Sequence, residues 1–233
     1  MNENCLNNGV SCENTNKNGL FLDEKYPVRI LLVRHGQSQG NAKNLYLGHT
    51  DLDLSEKGYE QARRTAEFLA DIRIDAVYSS DLIRAYNTAL PHARMRGLTV
   101  QGESALREIY LGDWEGLPIE VLHTEYKEQF FGEWTDNFGI SCPPGGESVQ
   151  SAADRFCSRL LEIAKAHLGG TVLVAAHAAV IRATYAKVSD IPPERVAGEI
   201  KFPHNASVSI VYFDGERLIP GEYSHASHLG DLA

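Results

Sequence analysis

The run Val28-Arg29-Ile30-Leu31-Leu32-Val33 leads straight into Arg34-His35-Gly36. A short apolar run that halts at charged residues and a glycine reads as a buried strand stopping at a loop. Similar segments recur at Asp75 to Ser79 and at Thr171 to Ala176, and the second of these stops at His177. Helical spacing lies between them. Leu54-Ser55-Glu56-Lys57-Gly58 opens a helix with Ser55 as N-cap and Ala62, Ala66, Phe68 and Leu69 on its apolar face. Asp81 to Arg96 reads as a second helix. Gly145-Gly146-Glu147-Ser148 is a turn feeding a third, to about His167, with Val149, Ala152, Phe156, Leu160 and Ile163 along one side. His177 to Lys187 is a fourth, and Ser207 to Phe213 with Arg217 to Ile219 reads as a closing hairpin about Asp214-Gly215. Strands alternating with helices predict an α/β fold, a three-layer α/β/α sandwich whose largely parallel central sheet is covered on both faces.

Two segments stand outside this rhythm. Residues 1–26 carry Asn at 2, 4, 7, 8, 14, 16 and 18 and offer no apolar face, so a flexible polar tail is expected, with Leu20, Phe21 and Leu22 as its anchor. Residues 27–233 read as one domain. Within it, residues 117–144 hold Tyr126, Phe130, Phe131, Trp134 and Phe138 among acids and glycines. They form either a lid or specificity insertion or a helical excursion that completes the core.

Bulk properties narrow the function. The chain has 233 residues, 43% hydrophobic and 23% charged, as a soluble globular protein does. A net charge of -9 with no Lys or Arg run argues against nucleic-acid and anionic-membrane partners. Attraction of an anionic substrate then has to come from a few cations focused in a cleft. Cys5, Cys12, Cys142 and Cys157 show neither disulfide nor metal-ligand spacing. Residues 1–20 lack an apolar core and no run approaches membrane length, so a cytoplasmic location is expected.

Ligands of open α/β sheets bind beyond the carboxyl ends of the strands. Neighbouring parallel strands would therefore set His35 and His177 side by side at one edge. Arg34 is adjacent, and Arg84 follows the second strand in Ser79-Ser80-Asp81-Leu82-Ile83-Arg84. A guanidinium is a planar fork of donors suited to phosphate oxygens. Gly36 would let the backbone approach a ligand, and Asn41 can donate an amide hydrogen.

Arg34-His35-Gly36-Gln37-Ser38-x-x-Asn41 resembles the signature of the histidine phosphatase superfamily, also called the phosphoglycerate mutase-like family. The resemblance continues in order through Gly48-His49-Thr50-Asp51, Leu54-Ser55-Glu56-Lys57-Gly58, Ser79-Ser80-Asp81-Leu82-x-Arg84-Ala85 and Leu106-Arg107-Glu108-Ile109-x-x-Gly112-Asp113-Trp114-Glu115-Gly116. It ends with Pro144-Gly145-Gly146-Glu147-Ser148 and Ala176-His177-x-x-Val180-Ile181-Arg182, and leaves the Asn-rich tail uncovered.

The resemblance implies a phosphoglycerate mutase-like fold and a phosphohistidine mechanism without metal or other cofactor. His35 would be the nucleophile, its second ring nitrogen held by an acceptor. Arg34, Arg84 and His177 would surround the phosphoryl oxygens, with Asn41 as a neutral donor. Glu108 would protonate the leaving oxygen and then deprotonate the hydrolytic water. Glu108-Ile109-Tyr110-Leu111-Gly112 departs from the Glu-Arg-His-Tyr-Gly of the glycolytic mutases and looks like the broad phosphatases and the α-ribazole phosphatases. The expected function is hydrolysis of small phosphorylated metabolites; mutase chemistry, α-ribazole phosphatase activity and non-catalytic phospho-ligand binding are the alternatives. The partner is then a small metabolite, with a homodimer as the alternative to a monomer. Ala178 stands where the family usually has Gly; it is strained if the position needs a positive φ and harmless if it opens a helix. His225 and His228 read as ordinary residues near the end rather than as metal ligands, and Cys142 as inert.

Overall fold

A computed structural model describes residues 19, 20, 22–135 and 142–233. Six strands form one sheet: β1 Val28–Arg34, β2 Ala76–Ser80, β3 Val100–Glu103, β4 Thr171–Ala176, β5 Val208–Phe213 and β6 Leu218–Pro220. The helices are α1 Gln39–Ala42, α2 Glu56–Phe68, α3 Ile83–Arg96, α4 Ile119–Thr124, α5 Val149–Ala166, α6 Ala178–Val188 and α7 Pro193–Glu199, with a π-helical stretch at Glu128–Thr135. The sheet order is β3-β2-β4-β1-β5-β6. Strands β1 to β4 run parallel; β5 is antiparallel to β1 and β6 to β5. This is the expected α/β/α sandwich with a largely parallel sheet.

The apolar runs fill both faces because alternate side chains of a strand point to opposite sides. Val28, Ile30 and Leu32 of β1 join Val172 and Val174 of β4 in one core, against Phe156 and Leu160 of α5 and Val180 of α6. Leu31 and Val33 join Leu173 and Ala175 in the other, against Phe68 of α2 and Ala89 of α3.

Two elements escaped the sequence pattern. Strand β3 is a four-residue edge strand, Val-Gln-Gly-Glu, with no fully buried residue to advertise it. Helix α7 is one short amphipathic piece begun by Pro193, a residue suited to a first helical position. The expected tail lies for residues 1–18 and Phe21 outside the described residues. Its C-terminal part docks: Leu20 is buried in the second core, Leu22 packs on it, and Tyr26 stacks on Tyr212 with centroids 4.6 Å apart. Of the 117–144 stretch, Tyr126 and Phe130 pack against the first core, and Phe130 meets Trp114 and Tyr46 edge-on or tilted. Phe138 and the Trp134 side chain lie outside the described set.

Candidate active site

The carboxyl ends of β1 and β4 are in register, with Arg34 opposite Ala176. The next residues, His35 and His177, therefore stand together, ring centroids 5.2 Å apart at 60°. Both are buried. The His35 amide donates to Ala176 O at 2.9 Å, which extends the ladder by one bond and locks the two strand ends.

The imidazole of His35 has a defined tautomer. Its Nδ1 lies 2.7 Å from the Gly36 carbonyl, which can only accept, so Nδ1 carries the proton and Nε2 keeps its lone pair. Burial, then the charges of Arg84 and Arg34, hold the His35 pKa well below its ordinary value, so the ring is neutral at physiological pH. His177 is neutral as well, for burial first and the Arg84 charge second. Before phosphate enters, His177 is thus a hydrogen-bond donor rather than a charge. Neither of its ring nitrogens has a protein partner, nor does Nε of Arg34 or of Arg84. Buried polar atoms left without partners are uncommon and call for a ligand or a water to meet them.

Both guanidinium groups are anchored from behind. Arg84 gives Nη1 to Thr50 O at 2.9 Å and Nη2 to Gly48 O at 2.7 Å. Arg34 gives Nη1 to Pro203 O at 2.5 Å. Burial lowers the pKa of Arg34 to about 10, which leaves it charged. Asn41 sits in a capping box: Ser38 N donates to its Oδ1 at 3.1 Å, and its own amide donates to Ser38 Oγ at 3.0 Å. With Oδ1 engaged, the Asn41 NH₂ is the group left for a ligand.

Gly36 has a packing role that the sequence does not announce. A Cβ there would lie 2.4 Å from Gly58 O, and a Cβ on Gly58 would lie 2.0 Å from Gln37 O. The two glycines let the loop after His35 press on the first turn of α2. Gln61 of α2 completes the brace by accepting from Gln37 N at 2.7 Å.

Glu108 is buried at the N-terminus of α6. Its Oε2 accepts from Ala179 N at 3.0 Å and its Oε1 from Val180 N at 3.1 Å. Burial raises its pKa, while these amides, the Ile109 amide and the Arg84 charge pull it down. Ala178 is the first residue of α6 and is absent from the positive-φ positions, so it opens a helix without strain.

Arg34, His35, Asn41 and Glu108 face one cavity of about 270 Å³, whose other walls include Leu45, Tyr46, Leu47, Ile109, Leu111 and Ile119, with Phe202 beside Ala178 and Ala179. Arg84 and His177 are not among its lining residues, although the His177 ring stands against that of His35. Sequence reading assigned no role to several supporting residues. The Glu115 carboxylate accepts from the amides of Gly48, His49, Thr50 and Leu111 and from Thr50 Oγ1. His49 Nε2 donates to Glu108 O at 2.9 Å, and Arg155 Nη2 donates to the same carbonyl at 3.2 Å. Asn205 Nδ2 donates to His35 O at 3.0 Å. Glu115 and His49 stood inside quoted motifs; Asn205 and Phe202 carried no local signal.

The two histidines near the end and two of the cysteines sit apart from this site. The rings of His225 and His228 lie near-parallel to Phe68 at 5.1 and 4.4 Å and 6.2 Å from each other, and His225 pairs with Glu222. Cys142 is exposed and Cys157 buried, both as thiols.

A phosphoryl-sized cluster of donors around a neutral histidine, at the carboxyl edge of a parallel sheet, marks an enzyme of the phosphatase class. The chain belongs to the histidine phosphatase superfamily, branch 1, whose sequence profile matches residues 30–222. It is 34% identical over 206 residues to phosphoserine phosphatase 1 of Hydrogenobacter thermophilus, covering 88% of this chain and 96% of that protein. It is 33% identical over 190 residues to the 2,3-bisphosphoglycerate-dependent phosphoglycerate mutase of Brucella anthropi, covering 78% and 90%. The fold matches a mycobacterial glucosyl-3-phosphoglycerate phosphatase solved with VO3, at TM-score 0.78 and 29% identity over 85% of this chain and 99% of that one. No helix among the described residues is long and apolar enough to cross a membrane.

Proposed function

We propose that this enzyme is a metal-independent phosphomonoester hydrolase working through a phosphohistidine on His35, with a small phosphorylated metabolite as substrate. The observation that carries the reading is the His35 Nδ1 to Gly36 O bond, which leaves a neutral Nε2 as the nucleophile. Nε2 attacks phosphorus as the ester P–O bond breaks, and protonated Glu108 gives its proton to the leaving oxygen. The phosphorylated ring is then cationic, and its Nδ1–H already points at a carbonyl. Glu108 next takes a proton from water, whose oxygen bonds to phosphorus while the P–N bond breaks. His35 returns neutral and Glu108 protonated. Arg34, Arg84, His177 and Asn41 donate to the phosphoryl oxygens throughout.

The donor set supports a route without metal. The positive charge comes from two guanidinium groups, and the one carboxylate among the described lining residues is already engaged by backbone amides. Likeness to a mutase favours a second reading, phosphoryl return to another hydroxyl, but the walls beyond Glu108 are apolar where a mutase must hold a second anion.

Phosphate release from a panel of monoesters, with and without chelator, tests the proposal. Activity that survives chelation, with acid-labile protein-bound phosphate in quenched samples of the wild type and none in His35→Ala, is the expected result. Loss on chelation would overturn the metal-free route, and conversion of 3-phosphoglycerate to 2-phosphoglycerate without phosphate release would favour the mutase.

A further inference from the structure

We infer that the leaving group this site accepts is an uncharged, mainly apolar alcohol of about one ring or a short chain, and not one that bears a carboxylate. The inference rests on the phosphohydrolase reading and concerns the half of the cavity beyond the phosphoryl end.

Its apolar lining includes Leu45, Tyr46, Leu47, Leu111, Ile119 and Phe202. Glu108, which would protonate the leaving oxygen, lines the same cavity. At about 270 Å³ in all, the cavity falls below the roughly 300–1,000 Å³ that hold drug-sized ligands, and the phosphoryl group takes a share of it. Two aromatic walls have neighbours outside the cavity. Tyr46 meets the buried Phe130 at 5.6 Å, and Phe202 covers the guanidinium of Arg182 at 4.4 Å.

The described lining residues hold no cation for a second anion. Arg34 is the only Lys or Arg among the described lining residues, and it serves the phosphoryl group. Arg182 turns its donors inward, Nε to Ile200 O and Nη2 to Val196 O. Arg107 is bound by Asp81, and Arg155 by Glu147 and by backbone carbonyls. The segment 132–141, which follows Phe131, contains no Lys, Arg or His in its sequence. A carboxylate on the leaving group would therefore lose water against aliphatic and aromatic side chains with no countercharge among the described lining residues, and burying an unpaired charge is strongly unfavourable. An alkyl or aryl group there gains burial instead.

The test compares alkyl esters of similar leaving-group acidity, so that chemistry does not masquerade as binding. Ethyl, butyl and hexyl phosphate are measured beside glycerol 3-phosphate, phosphoserine and 3-phosphoglycerate. The expected result is a kcat/KM that climbs roughly two- to fourfold per methylene until the cavity fills. Phosphoserine and 3-phosphoglycerate should fall at least tenfold below hexyl phosphate. Ile119→Arg should shrink or reverse that gap while His35 still forms phosphoenzyme. A flat alkyl series, or phosphoserine or 3-phosphoglycerate as the best ester of the wild type, would overturn the inference and leave the hydrolase reading standing. Failure to cleave any of the six would overturn the hydrolase reading itself.

Discussion

Arg84 and Glu115 grip opposite sides of the same three residues. Arg84 donates to the carbonyls of Gly48 and Thr50, and Glu115 accepts from the amides of Gly48, His49 and Thr50. The tripeptide gives carbonyls to a guanidinium and amides to a carboxylate, and the Gly48–His49 peptide bonds to both. Glu115 also accepts from Leu111 N, three residues past Glu108, so one carboxylate ties the anchor of Arg84 to the segment carrying the proposed acid.

Glu115→Gln keeps the shape but puts an NH₂ where an acceptor stood. Arg84 should then lose its fixed aim, and a displacement near 1 Å costs about a hundredfold in rate. We expect kcat/KM to fall by that order, the inhibition constant for inorganic phosphate to rise in step, and the circular dichroism spectrum to stay unchanged. Unaltered phosphate inhibition would show that the loop holds Arg84 without Glu115.

Glu108→Gln should separate esters by leaving group. An alkyl ester needs the proton and should lose about 10²–10⁴-fold; a nitrophenyl ester, whose leaving oxygen is stable as an anion, should lose far less. The raised pKa of Glu108 also sets a pH dependence. Its protonated fraction falls as pH rises, so kcat for alkyl esters should decline toward alkaline pH on a limb governed by Glu108. His35, held neutral by its lowered pKa, should add no acidic limb near neutrality. Equal losses on both esters would count against Glu108 as the acid.

Gly58→Ala reverses a familiar sign. Glycine inside a helix ordinarily costs up to about 1 kcal/mol against alanine. Here the added Cβ would lie 2.0 Å from Gln37 O, so the loop after His35 must shift. We expect the midpoint of thermal unfolding to drop rather than rise, and kcat/KM to fall with it.

His92 should make the fold acid-sensitive. It is fully buried on α3 with neither ring nitrogen partnered, and burial lowers its pKa to about 3. Between that value and its ordinary 6.5, the unfolded chain takes up a proton that the folded one refuses. The contribution to stability is therefore present above pH 6.5 and declines as pH falls, by about 1.4 kcal/mol per unit. His92→Leu should gain stability on the wild type as pH goes from 7 to 5, read from denaturant midpoints. A pH-independent difference would refute the titration.

Much of this was legible before any coordinates, for identifiable reasons. The strands β1, β2 and β4 are buried on both faces, so their apolar runs are unbroken and their ends abrupt. The approach of His35 to His177 follows from two strand ends and one rule about parallel sheets. What stayed hidden depends on contacts between segments far apart in the chain. Glu115 is one acid among many until Gly48 and Leu111 fold onto it. Asn205 reaches His35 O across 170 residues. Gly36 was read as facing a ligand because nothing in its neighbourhood announces Gly58. Strand β3 is too short and too polar to declare itself.

The walls of the cavity come from two different sources. The phosphoryl end is set at the tips of β1 and β4, in register and bonded to each other, whereas Leu45, Tyr46, Leu47 and Phe202 sit on connecting segments and Ile119 at the start of a short helix. Substitutions on those segments can remake one half while the other keeps its bonds. Selection can thus change what such a protein eats without relearning how to cut, and a laboratory library confined to these five positions should yield altered diets from variants that still fold.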